Sequence, residues 1–171
     1  MFFNRYNMQN QEEIEFLKLI SSKPSAYAKI SGGEKYKNLS GKISFYKLQN
    51  GVVVFANIKG LPIENEKCSP NIFAMHIHEG NDCSGNSEDE FKDAKSHLNP
   101  DNCPHPAHIG DLEPLFAGKN GKAVYAYWTD RFTISQILSK VVIIHSHLDD
   151  FTSQPSGNSG TKIACGKIEI N

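Results

Sequence analysis

Nothing in this chain of 171 residues approaches the roughly 20 consecutive apolar residues that a membrane helix requires, so no helical membrane span is expected. A basic tract is missing as well. Its 18 lysines and arginines are scattered among 19 acidic residues, for a formal net charge of −1, and nucleic acid is not expected as a partner. The opening residues, Met1 to Glu13, have neither an uninterrupted hydrophobic stretch nor a small-residue cleavage site, and on that ground a cytoplasmic location is expected. Cysteine is sparse but even in number. Cys68, Cys83, Cys103 and Cys165 allow three pairings and suit an oxidising compartment, which pulls against the cytoplasmic reading. The sequon Asn38-Leu39-Ser40 has meaning only if the chain is exported. There is no internal repeat and no low-complexity tract, and the length suits one domain with a real core.

What is present reads as two parts. Residues 1–24 form an extension in which Gln11–Ile20 carries apolar groups at 14, 17 and 20, with acids early and lysine later, the pattern of a short amphipathic helix aligned with its dipole. A helix of about ten residues is marginal without a partner surface, so an appendage is favoured over a docking or dimerisation element. Residues 25–171 read as all-β, with extended segments near 25–33, 41–48, 51–60, 71–79, 122–130, 139–147 and 161–170. Asn50-Gly51 between two β-rich runs signals a hairpin, making the second and third strands antiparallel neighbours. Two connections, about 80–120 and 148–160, are far longer than usual, and loops of that length in a compact domain usually carry function. Such a pattern suggests a β-sandwich or Greek-key barrel that holds loop-borne chemistry on a rigid scaffold.

Histidines supply that chemistry. In Met75-His76-Ile77-His78, positions i and i+2 of a strand face the same side, so both rings can grip one ion. The segment from His97 through His105 and His108 to Asp111, rich in proline and asparagine, offers three ring nitrogens and one carboxylate, a closed tetrahedral set for zinc. A third fragment, His145-Ser-His-Leu-Asp149-Asp150, follows downstream. Together they have the spacing of a binuclear site. Taken alone, His105-x-x-His108-x-x-Asp111 also allows a zinc hydrolase, but a catalytic zinc needs an open position that His97 would close.

These motifs, in this order, resemble the copper,zinc superoxide dismutases of bacterial type. The likeness rests on His76-Ile-His78-Glu79, Cys83, His97-Leu-Asn-Pro, His105 with His108-Ile-Gly-Asp111, Val142-Ile-Ile-His145 with Asp149, and Gly157-Asn-Ser-Gly160-Thr-Lys162-Ile-Ala-Cys165-Gly166. It spans residues 25–171. It implies an eight-stranded antiparallel Greek-key barrel or sandwich, immunoglobulin-like, with long metal-binding and electrostatic loops. It further implies copper held by His76, His78, His97 and His145, and zinc held by His97, His105, His108 and Asp111. His97 would join the two metals, taking up and delivering a proton as superoxide is converted to O2 and hydrogen peroxide. Asp149 would hold the rings of His76 and His105 from behind, and Cys83 would pair with Cys165. Superoxide is the implied partner, with the chain a monomer or homodimer and no membrane involved. An alternative is a weakly active or non-catalytic copper/zinc protein of the same fold that stores or passes metal.

Departures from the family pattern are also legible. Lys162 stands where the family has a substrate-guiding arginine, and lysine is a mobile point charge without arginine's planar fork, so a reduced rate is expected. The loop 146–161 is short and has no lysine or arginine, which leaves steering to the metals and Lys162, with an expected loss at high salt. Cys68 and Cys103 remain over. A second disulfide between them would help close the zinc loop, with free thiols as the alternative. His147 is expected to be solvated, and Asp150 to cap its turn.

Overall fold

The computed structural model describes residues 2–64 and 66–171, with the side chains of the first helix described from residue 11 onward. That helix, α1 (Phe2–Ser21), is longer than the segment expected, and its first turn holds no acidic residue. The acids therefore sit in mid-helix, and the expected dipole alignment survives only at Lys18. It ends where Tyr46 Oη donates to the Ile20 carbonyl (2.8 Å), and Pro24 follows. Ile14, Phe16 and Leu17 remain exposed.

The rest is mostly β-structure, as expected. β1 (Ala26–Gly32), β2 (Ser40–Leu48), β3 (Gly51–Lys59), β5 (Met75–His78), β7 (Ala123–Thr129), β8 (Val141–His145) and β9 (Lys162–Ile170) form one antiparallel sheet in the order β5-β8-β9-β1-β2-β3-β7. β4 (Ile72–Phe73) and β6 (Leu115–Phe116) make a separate two-stranded ribbon. The eight strands expected thus become seven and two, and the strand expected over 71–79 divides at Ala74. The reason lies in Ala74's own backbone: its N–H donates to His147 O (2.8 Å) and its carbonyl accepts from His145 N (2.9 Å), handing the chain from β6 to β8. The β2–β3 hairpin forms as expected, with Leu48 opposite Gly51.

One apolar cluster joins Ile43 and Phe45 of β2, Val54 and Ile58 of β3, Met75 and Ile77 of β5, Ala123 of β7, Val142 and Ile144 of β8 and Ile168 of β9. Residues from both edges of the sheet meet in this cluster, so the sheet curls around it. The other face of β8 is also buried. Val141 and Ile143 join Phe91, Ala94 and Cys165 in a second cluster under the loop that follows β5. Strand alternation therefore sends Met75, Ile77, Val142 and Ile144 inward and His76, His78 and His145 to the opposite, loop-covered face. A one-residue slip would exchange these sets, and each buried isoleucine contributes about 1.5–3 kcal/mol, so the register of the histidines is protected by the core.

The Cys83–Cys165 disulfide ties that loop to β9, with Cα atoms 5.7 Å apart. The second disulfide does not form: Cys68 is exposed and Cys103 half-buried, both as free thiols. Cys103 is held instead through its backbone, whose N–H and carbonyl bond the Asn99 amide (3.0 and 2.9 Å). No described helix is long and apolar enough to cross a membrane.

Candidate metal centre

β5 is an edge strand, and the segment 96–112 covers that edge. Ile77 N donates to Gly110 O and Leu98 N to Ile77 O, both at 2.8 Å, while Glu79 N donates to Ser96 O at 2.9 Å. This lays His97 beside His78 and Asp111 beside His76. Six of the seven histidines, with Asp111, converge as two buried groups of possible ligands: His76, His78, His97 and His145, and His97, His105, His108 and Asp111. Within each group the ligand atoms lie within 4.8 Å of one another. His97 belongs to both. The seventh histidine, His147, is exposed, as expected.

Three of the rings, His76, His105 and His78, are oriented from behind. Asp149 Oδ2 accepts from His76 Nε2 (2.7 Å) and Asp149 Oδ1 from His105 Nε2 (2.8 Å), so one carboxylate grips a ring of each group. A carboxylate only accepts, which fixes the proton on both Nε2 atoms and leaves Nδ1 bare. His78 Nδ1 donates to Lys95 O (2.8 Å), which turns its Nε2 inward to 3.3 Å from His145 Nε2. His97 Nδ1 faces Asp111 Oδ1 (2.8 Å) and His108 Nδ1 (3.3 Å). Three buried atoms, His76 Nδ1, His97 Nε2 and His105 Nδ1, have no hydrogen-bond partner. Orphaned lone pairs are costly in a buried site, and these point into the two groups that could hold cations.

Electrostatics agree with that use. Burial lowers the pKa of His76 and His108, and it holds His78 and His145 well below the usual histidine value with help from neighbouring rings. Burial works against ionised Asp111 and Asp149, but hydrogen bonds and positive potential from the surrounding histidines outweigh it and keep both acidic. Neutral imidazoles beside charged carboxylates form a donor set ready for cations. Asp150 caps its turn as expected, accepting from the backbone of Ser153 and Thr152, which lowers its pKa to about 2.

Three contributors, Arg131, Gln154 and Lys95, lie outside the motifs, and a fourth, Gly157, lies within one but has no role legible from it. Arg131, between β7 and the short helix α2 (Ile134–Ile137), donates through Nη2 to the carbonyls of Pro106 (2.8 Å) and His108 (2.9 Å). Gln154 brackets His105, accepting from its N–H (2.9 Å) and donating to its carbonyl (2.7 Å). Gly157 has φ +64, and a Cβ there would strike Asp149 Oδ1 and approach His105 Nε2 to 2.7 Å, so only glycine lets the loop close over the shared carboxylate. Lys95 supplies the carbonyl that orients His78. The only available signal was proximity to the histidine motifs, because partners far apart in sequence leave no local spacing.

A cavity of about 500 Å³ opens onto His78, His97 and His145 and is lined also by Lys95 and Lys162. Lys162 is where the motif reading put it, but its Nζ is bound to Asp89 Oδ2 (2.6 Å) and donates to Phe91 O (3.0 Å).

Comparison with known proteins bears on this geometry. The sequence profile described as copper/zinc superoxide dismutase (SODC) matches residues 39–168. A curated protein named superoxide dismutase [Cu-Zn] 2, from Aquifex aeolicus, is 32% identical over 142 residues, covering 75% of this chain and 78% of that protein. The superoxide dismutase [Cu-Zn] of Legionella pneumophila is 30% identical over 136 residues, covering 75% and 77%. Among solved structures, the Cu/Zn superoxide dismutase from Brucella abortus superposes with a TM-score of 0.69 at 22% identity, over 84% of this chain and 99% of that one.

Proposed function

The chain belongs to the copper/zinc superoxide dismutase family, and from that premise we propose that it converts two superoxide anions and two protons to O2 and hydrogen peroxide at a copper/zinc pair that would share His97 as a ligand. Copper is assigned to His76, His78, His97 and His145, an all-imidazole set, and zinc to His97, His105, His108 and Asp111. When bound, copper supplies one-electron transfer to and from superoxide, while zinc, which has no redox chemistry, holds charge and geometry.

The chain's own residues do the rest. His97 Nε2 is the atom at which a proton is taken up and delivered, since it is buried, has no protein partner and belongs to the ring shared by both groups. Asp149 fixes the tautomers of His76 and His105 and couples the two halves. The cavity beside His78, His97 and His145 admits the small anion, and Lys162 contributes positive charge that Asp89 partly offsets. The disulfide favours an oxidising compartment over the cytoplasm.

The observation that carries this reading is the membership of His97 in both ligand groups. Purified protein loaded with copper and zinc should speed superoxide decay, and removal of copper by a chelator should abolish the effect. Tight copper binding with decay at the uncatalysed rate would overturn it in favour of a metal-storage or transfer protein, the reading that the Asp89–Lys162 pair favours.

A further inference from the structure

We infer that Lys95, and not Lys162, is the cation that draws the anionic substrate into the cavity, and that Lys162 serves mainly to pin the 82–95 loop to β9. The inference rests on the dismutase reading and assigns substrate guidance within that site.

Lys95 lies two residues before His97, and its carbonyl accepts from His78 Nδ1 at 2.8 Å, so its Cα is fixed relative to two of the converging rings. Its side chain is exposed and lines the same cavity as His78, His97 and His145. Among the described residues, the lysines that form ion pairs are Lys37 and Lys162, which leaves Lys95 with a free charge. Lys162 has spent much of its own charge on Asp89, and with Phe91 O as its second partner it fastens the loop that Cys83 also anchors. The loop on the other side of the cavity, 146–161, brings no cation. Glu79 is the carboxylate in the cavity lining, so an unpaired lysine there also offsets a repulsive charge.

Backbone conformation gives a separate reason. Lys95 has φ +63 and ψ −145, a region that glycine occupies freely and that other residues rarely adopt. The neighbouring bonds, Lys95 N to Lys92 O (3.0 Å) and Glu79 N to Ser96 O (2.9 Å), hold it there. A glycine would relieve that strain, and a lysine at a strained position in a functional site points to a use for its side chain.

The test compares the copper/zinc-loaded full chain with Lys95→Gln, Lys95→Arg, Lys95→Gly, Lys162→Gln and Asp89→Asn, measuring superoxide decay against ionic strength. It also titrates azide, an anion of the same charge, optically onto the copper-loaded proteins. Lys95→Gln should lower the rate about threefold or more at low salt, flatten the salt dependence and weaken azide binding in proportion, while Lys95→Arg restores most of each. Lys95→Gly should show the same losses but raise the thermal midpoint of the metal-free protein. Lys162→Gln should lower that midpoint and alter the salt dependence less, and Asp89→Asn should raise the rate by freeing Lys162. Wild-type rate, salt dependence and azide affinity in Lys95→Gln would overturn the inference, as would a larger loss of salt dependence in Lys162→Gln with an unchanged midpoint. If the wild-type protein does not speed superoxide decay, the dismutase reading fails, and the azide titration still decides for or against Lys95.

Discussion

The two halves of the centre are built by different means. His76, His78 and His145 stand on β5 and β8, where hydrogen-bonded register and an apolar core behind them set their positions. His105, His108 and Asp111 stand on an irregular segment with no ladder of its own. That segment is fastened by side chains: its own Asn99 on Cys103 and, from elsewhere, Gln154 on His105 and Arg131 on Pro106 and His108. A strand places ligands through the same forces that fold the domain, whereas a loop needs separate fastenings for each ligand. Asp149 reaches both halves, as does His97, which belongs to both ligand groups.

The contrast is testable from that point of coupling outward. Asp149→Ala should weaken binding of both metals by about 10–100-fold, read by competition with chelators; a loss confined to one metal would show the halves to be independent. Arg131→Gln should act on the loop half only. Zinc affinity should fall about tenfold and the spectrum of cobalt placed in the zinc position should broaden, with copper affinity unchanged. Equal loss of both metals there would break the comparison.

The smallest effect concerns pH in the metal-free protein. Burial lowers the pKa of His76, His78, His108 and His145, so below the usual value of 6.5 the unfolded chain binds protons that the folded chain refuses. Stability should therefore decline as pH falls from about 7 to 5, by a few degrees in thermal midpoint. Asp111 and Asp149 are depressed in the folded state, so their contribution is present above about pH 4 and is lost on further acidification. His78→Gln should flatten the decline more than His108→Gln, because burial and the neighbouring rings lower the pKa of His78 further. The reverse order would place the titrating burden on the loop.

Legibility in the sequence followed the same division. The pairing of His76 with His78 was readable because strand period is local, and the Asn50-Gly51 hairpin for a similar reason. The break at Ala74 was not, since it depends on bonds to residues 145 and 147. The N-terminal half of the helix lacks a clear apolar period and so leaves no local signal, and Cys68 and Cys103 do not pair, since other groups hold the loop.

By itself the sequence determined the all-β class, the candidate ligand residues and, through the order of its motifs, the family to which the chain belongs; these depend on side-chain chemistry and on periods of a few residues. Tertiary structure alone decided that Arg131 and Gln154 clamp the loop, and that Lys162 is paired with Asp89 while Lys95 is left free. Each of these is a contact between residues remote in the chain, except the freedom of Lys95, which is a matter of what lies near it. Such contacts are set by how the sheet curls and where the loops land on it, which no local pattern records.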